Sequence, residues 1–286
     1  MAKLFFLLLS LCFLLLCCAP SYTNSHQICK LDLLYQSRDT ISGRNFIRQV
    51  PVHSMSGHLT SICLDRKDCR GKLGRALSLV GEVSGNYYND AILQGKTTEE
   101  LTSMVPDVVD ATIDAARKLI NLGTTRVVIP GNFPIGCFPI YQTASVRNSS
   151  TEYDENQCVK QLNEFAKYHN QQLQQGIERL NEEKPHATVI YADYYKAYQY
   201  LLRYARFTVN GWDWTHAGMD TEKACCGIGG KYNFNMTRRC GSRGVPICTD
   251  AERYVSWDGV HLTQKSLKIM ARSLLFNIFP KLQCRF

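Results

Sequence analysis

A chain of 286 residues with 45% hydrophobic and 20% charged residues is too apolar for a disordered polyelectrolyte and long enough for one ordinary core. Its formal charge of +8 comes from scattered Lys and Arg with no dense basic tract, so a solvated basic surface is a better reading than nucleic-acid binding. Beyond the N-terminal segment no stretch reaches the roughly 18 apolar residues of a membrane span, which argues against stable membrane insertion.

Lys3 is followed by an apolar run from Leu4 to Cys18 and then Ala19-Pro20-Ser21, so residues 1–21 read as a secretory signal peptide. Setting aside Cys12, Cys17 and Cys18 leaves ten of the 13 cysteines, and an even number in an exported chain favours disulfides. Cys63 with Cys69, and Cys225 or Cys226 with Cys240 or Cys248, would make local loops. No Cys-x-x-Cys pair accompanies them, so a metal site is the weaker reading. In an exported chain Asn148-Ser149-Ser150 and Asn235-Met236-Thr237 are glycosylation sequons, with Asn148 and Asn235 as acceptors. The basic surface also suits weak attraction to acidic wall polysaccharide.

The apolar runs then predict a strand over 31–35 that ends at Asp39-Thr40. A second covers 77–83 and runs into Gly85-Asn86. Between Thr40 and Leu77 there is room for one βαβ step of about 30 residues. That interval includes Val50-Pro51-Val52-His53-Ser54-Met55-Ser56-Gly57-His58, which carries neither a strand period nor a helix period. A helix is expected over 98–122, capped by Gly123, then a strand over 126–129 closing at Pro130-Gly131-Asn132. A polar-faced helix over 156–180 is stopped by Pro185. A strand over 187–192 precedes Asp193, and helices cover 196–206 and 263–279. This alternation predicts α/β architecture, with right-handed crossovers, a mostly parallel sheet and helices on both faces. Residues 22–286 form a single domain in this reading, incomplete around 48–60.

Ligands of open α/β sheets sit at the carboxyl ends of strands, where Thr40, Asn86, Asn132 and Asp193 fall. The sharpest local signal is Asp258-Gly259-Val260-His261. An aspartate three residues before a histidine lets one turn place the carboxylate against Nδ1–H, leaving Nε2 as general base.

From about Ser61 to Cys284 the chain resembles the plant GDSL esterase/lipase family, a branch of the SGNH hydrolases. The blocks that carry the likeness include Leu79-Val80-Gly81-Glu82-Val83-Ser84-Gly85-Asn86 and Val128-Ile129-Pro130-Gly131-Asn132-Phe133-Pro134-Ile135-Gly136-Cys137. Tyr191-Ala192-Asp193-Tyr194-Tyr195, Lys223-Ala224-Cys225-Cys226-Gly227-Ile228-Gly229-Gly230 and the Asp258/His261 block continue it. The resemblance implies a flavodoxin-like three-layer sandwich, here lacking one strand–helix unit. It also implies a secreted carboxylic-ester hydrolase, in the cell wall or vacuole, that acts on a small-molecule or lipid ester and needs no cofactor. Asp258 and His261 match the family's pair, and Asn86 matches its oxyanion asparagine.

The first block departs from the family. Its Gly-Asp-Ser-hydrophobic motif aligns with Arg38-Asp39-Thr40-Ile41, so Thr40 replaces the nucleophilic Ser and Arg38 replaces a Gly. The β-branch of Thr40 restricts χ1 and adds a methyl at the attacking centre. The family's second-block Gly has no clear counterpart; Gly57 is a candidate by position alone. Ser42 is a fallback nucleophile, while Ser84 and Asp193 read first as structural polar residues. Three functions therefore compete. One is an esterase in which Thr40 attacks, His261 takes the proton, Asp258 orients it, and the Thr40 N–H with Asn86 holds the oxyanion. The second is a catalytically impaired or inactive secreted glycoprotein on the same scaffold. The third is a truncated gene model or splice product.

Overall fold

The computed structural model describes residues 33–37, 66–81, 83–146, 149–207 and 218–282. The signal-peptide segment, Arg38, Thr40, Ser42, Gly57, Cys63 and Asn148 lie outside the described residues. The chain divides into two compact units, one comprising Met1–Asn132, Tyr168–Asp193 and Phe276–Phe286, the other Phe133–Lys167 and Tyr194–Leu275.

The first unit is built on four parallel strands, β1 Leu33–Ser37, β2 Ala76–Val80, β3 Arg126–Pro130 and β4 Thr188–Ala192, side by side in chain order. β1 runs against β2 from Leu33 opposite Ala76 to Ser37 opposite Val80; β3 runs against β4 from Arg126 opposite Thr188 to Pro130 opposite Ala192. Val127, Val128 and Ile129 of β3 are all buried. Such a continuous apolar run is what a parallel sheet covered on both faces selects. Among the described residues each strand of this sheet is parallel to the next, and the order follows the chain.

Helix α1 (Arg66–Gly74) leads into β2, and α2 (Val83–Leu93) follows it. The expected second strand therefore stops three residues early, at Val80, and Asn86 sits on the first turn of a helix. Helix α3 (Thr98–Asn121) opens with a capping box: the Thr97 hydroxyl accepts from the Glu100 N–H at 3.3 Å, and the Glu100 carboxylate accepts from the Thr97 N–H at 2.8 Å. It buries a stripe that includes Val105, Val108, Ile113 and Leu119. The chain leaves α3 at Gly123, whose φ of +116° a side chain would resist.

Helix α5 (Lys160–Glu183), which follows α4 (Pro139–Ser145) in the chain, brings Gly176 against Ile113 and Val109 of α3. A Cβ at Gly176 would stand 2.9 Å from the Ile113 side chain, so a glycine sets this helix spacing. Further along α5, the Asn181 amide brackets Val189 with two 2.9 Å bonds, donating to its carbonyl and accepting from its N–H, which fixes the entry to β4.

The second unit contains α4 (Pro139–Ser145), which starts with proline at its first turn, and α6 (Tyr194–Phe207). Phe133, Phe138, Tyr194 and Tyr198 form an aromatic cluster with centroid separations from 5.0 to 6.1 Å. A disulfide joins Cys137 and Cys158. Two short strands, β5 (Asp220–Ala224) and β6 (Tyr254–Ser256), pair in parallel before α7 (Gln264–Ile278). Neither short strand was expected, because the run Asp220-Thr221-Glu222-Lys223 lacks apolar alternation. The cysteine cluster resolves as Cys225–Cys248 and Cys226–Cys240. Among the described residues no helix is long and apolar enough to cross a membrane.

Candidate active site

β6 delivers the chain into a closed five-residue loop. The Trp257 N–H donates to the His261 carbonyl at 2.8 Å, the Thr263 N–H donates to the Val255 carbonyl at 3.0 Å, and Ser256 bridges antiparallel to Leu262. Gly259, at φ +93°, makes the reversal. The buried Ser256 hydroxyl braces the inside, accepting from the Gly259 N–H at 2.9 Å. Thr263 then starts α7: its carbonyl accepts from the Leu267 N–H at 3.0 Å, and its hydroxyl donates to the Tyr254 carbonyl at 2.7 Å.

Within this loop the two oxygens of Asp258 divide the work. Oδ1 accepts from the Val260 N–H at 3.0 Å and the His261 N–H at 2.7 Å, an Asx turn that folds the backbone back on itself. Oδ2 lies 2.7 Å from His261 Nδ1. An ionised carboxylate only accepts, so Nδ1 carries the hydrogen and the tautomer is fixed. Burial alone would raise the Asp258 pKa; hydrogen bonds and charge from the His261 ring and the two backbone N–H groups outweigh it and hold the carboxyl below its ordinary range. The Asp258 side chain is 20% exposed and the His261 side chain 50%, so the carboxylate is the anchored member and the imidazole the presented one.

The loop is in turn held by its neighbours in the second unit. The N–H groups of Cys225 and Cys226 donate to the carbonyls of Ser256 and Trp257 at 3.0 and 2.6 Å, and the Ile140 N–H donates to the Gly259 carbonyl at 3.2 Å. Phe234 lies across Gly259 so closely that a Cβ there would stand 2.3 Å from its ring.

In the first unit, Asn132 lies two residues past the end of β3 and is fully buried, with its backbone N–H donating to Asn170 Oδ1 at 2.6 Å and its carbonyl accepting from Asn170 Nδ2 at 2.9 Å. Its own side-chain amide has no hydrogen-bond partner among the described residues. Asn170 was invisible to sequence reasoning, since a polar residue on a long helix looks solvated until a strand end is folded against it. His169 beside it is also buried, with Nδ1 at 3.1 Å from the Tyr88 hydroxyl of α2, and burial lowers its pKa to about 4. Asp193 follows β4 half-buried. In the second unit Asn235 forms its own Asx turn, Oδ1 accepting from the Thr237 N–H at 2.9 Å and from the Thr237 hydroxyl at 2.8 Å.

Comparison with known proteins gives the site its context. A family model described as GDSL-like lipase/acylhydrolase matches residues 86–274, which include Asn86, Asp258 and His261. A GDSL esterase/lipase of Arabidopsis thaliana is 44% identical over 229 residues, covering 80% of this chain and 67% of the relative. A second from the same plant is 40% identical over 228 residues, covering 79% and 56%. The acetylajmalan esterase of Rauvolfia serpentina is 37% identical over 231 residues, covering 80% and 57%. The chain thus spans about two thirds of the first relative and little more than half of the other two.

Proposed function

The chain belongs to the GDSL-like lipase/acylhydrolase family, and on that premise we propose that it is an exported carboxylic-ester hydrolase. The observation that carries the reading is the 2.7 Å contact between the Asp258 carboxylate and His261 Nδ1, inside the region the family model matches. Thr40 is the nucleophile: its hydroxyl oxygen attacks the ester carbonyl as His261 Nε2 takes the proton. The ionised Asp258 holds the imidazole in the productive tautomer and stabilises its protonated form. The Thr40 N–H and the Asn86 amide stabilise the oxyanion. Collapse expels the alcohol with the proton from His261, and water then releases the acid by the same route. The family match runs from Asn86 in the first unit to Leu274 in the second, which supports reading 22–286 as one hydrolase domain. Three disulfides among the described residues favour an oxidising compartment, consistent with a signal peptide over 1–21, secretion to the wall or vacuole, and glycans on Asn148 and Asn235.

Two observations favour a second reading, an impaired enzyme on the same scaffold. Arg38 and Thr40 stand where the family has Gly and Ser, and residues 50–58 carry neither a strand period nor a helix period, as a wrong splice junction would leave. Hydrolysis of p-nitrophenyl acetate separates the two. The first reading expects turnover that disappears in His261→Ala and in Thr40→Val. Background rates in the unaltered chain, with turnover restored by Thr40→Ser, would establish the second. Transcript reads that run continuously from Arg48 to Gly57 in every message would reject a splicing origin.

A further inference from the structure

We propose that the disulfide-tied segment 224–248 is a positioning device for the Asp258–His261 pair, with Cys225, Cys226 and Phe234 as its working residues. The proposal rests on the hydrolase reading for its kinetic consequence, but its structural core is independent of it.

The bonds inside the 257–261 loop fold it back on itself. Asp258 Oδ1 contacts only backbone two and three residues on, and Ser256 closes onto Gly259 and His261. What grips the loop from outside bears on the orientation of the half-exposed imidazole. Two adjacent N–H groups, those of Cys225 and Cys226, hold the carbonyls of Ser256 and Trp257, the two residues before Asp258. Phe234 lies against Gly259. Two parts of one segment thus hold the loop, alongside the Ile140 N–H on the Gly259 carbonyl.

That segment is in turn tied to itself. Adjacent cysteines bond to different partners, Cys225 to Cys248 and Cys226 to Cys240, so neither peptide N–H can swing without dragging a separate covalent loop. The Cys248 N–H donates back to the Cys225 carbonyl at 2.8 Å, and the Gly227 N–H donates to the Pro246 carbonyl at 3.2 Å. Asn233, at φ +49°, donates from Nδ2 to the Ala224 carbonyl at 2.8 Å, which sets the next residue, Phe234, against Gly259. Gly227 admits this arrangement because a Cβ there would fall 1.8 Å from the Asn233 carbonyl oxygen. β6 has only three residues and β5 buries only Ala224 fully, so the cross-links add to the burial of Cys225, Cys226, Tyr232, Phe234 and Val255 in holding this region.

The test uses the full chain and two readouts. The first is the low-field proton resonance of His261 Nδ1–H, assigned by its disappearance in His261→Gln. The second is kcat and KM for p-nitrophenyl acetate. Phe234→Ala and the paired Cys226→Ala/Cys240→Ala should lose or broaden the resonance and lower kcat by about 10- to 100-fold with KM little changed, since a displacement near 1 Å costs on that order. Phe234→Leu, which refills the space over Gly259, should restore both, and this rescue separates positioning from general loss of fold. If the unaltered chain shows no turnover, the hydrolase reading fails while the resonance still tests the clamp. An unchanged resonance and unchanged kcat in both variants would overturn the proposal, as would loss in Phe234→Ala that Phe234→Leu does not repair.

Discussion

Substituting Gly259→Ala probes the loop without touching a functional group. Two costs add. The backbone is at φ +93°, where an L side chain is strained by roughly 1–3 kcal/mol. The new methyl would also sit 2.3 Å from Cδ2 and 2.8 Å from Cε2 of Phe234, a ring only 5% exposed and so unable to rotate into solvent. Overpacking of this kind costs about 1–3 kcal/mol. Together these predict a loss of about 2–6 kcal/mol for the second unit, read by urea or thermal unfolding followed through near-ultraviolet signals. Combining Gly259→Ala with Phe234→Leu should recover part of the packing cost and none of the backbone cost. A Gly259→Ala protein as stable as the unaltered chain would refute both the left-handed turn and the Phe234 contact.

Three further outcomes are expected. Asp258→Asn keeps the shape of the loop but removes the carboxylate that selects the tautomer, so kcat should fall by orders of magnitude, about 10⁴ in the best-studied triads. Because the folded Asp258 pKa is lowered, its stabilisation is full above the ordinary carboxylate value of about 3.9 and is lost as acid carries the pH through the lower folded value; the variant's acid-unfolding curve should lack that component. His169, with a pKa lowered to about 4 by burial, stays neutral while the unfolded chain takes up a proton near 6.5, so stability should fall between about pH 6.5 and 4 by up to about 3 kcal/mol. His169→Gln should flatten that slope, and an unchanged slope would contradict it. Asn170→Ala would strip both partners from the buried backbone of Asn132, costing about 2–4 kcal/mol by denaturant titration; a loss under 1 kcal/mol would contradict the bracket.

What the residues disclosed in advance was what local spacing controls. β3 and β4 were readable because each is a short apolar run closed by a strand breaker, and α3 because its stripe is long and Gly123 ends it. The contact between Asp258 and His261 was readable because three residues are one turn. β2 was read as running to Val83, since Val80-Gly81-Glu82-Val83 continues its alternation; the strand ends at Val80, which pairs with the last residue of β1, and the chain coils instead. β5 was missed because Asp220-Thr221-Glu222-Lys223 carries no apolar alternation and only Ala224 at its end is buried. Phe234 and Asn170 were missed for a related reason: each acts on a residue distant in sequence, Gly259 or Asn132, and nothing in its own neighbourhood announces the partner. The cysteine partners within 225–248 were narrowed by spacing but fixed only in three dimensions, and Cys137–Cys158 spans a helix that sequence reasoning did not contain.

The most direct measurement of the central claim is covalent capture of the nucleophile. A fluorophosphonate should be attacked by the Thr40 hydroxyl oxygen at phosphorus, with fluoride leaving and the proton passing to His261, so that mass spectrometry finds the adduct on the peptide containing Thr40 and finds none in His261→Ala. Labelling that lands elsewhere, or that proceeds equally well without the imidazole, would contradict it.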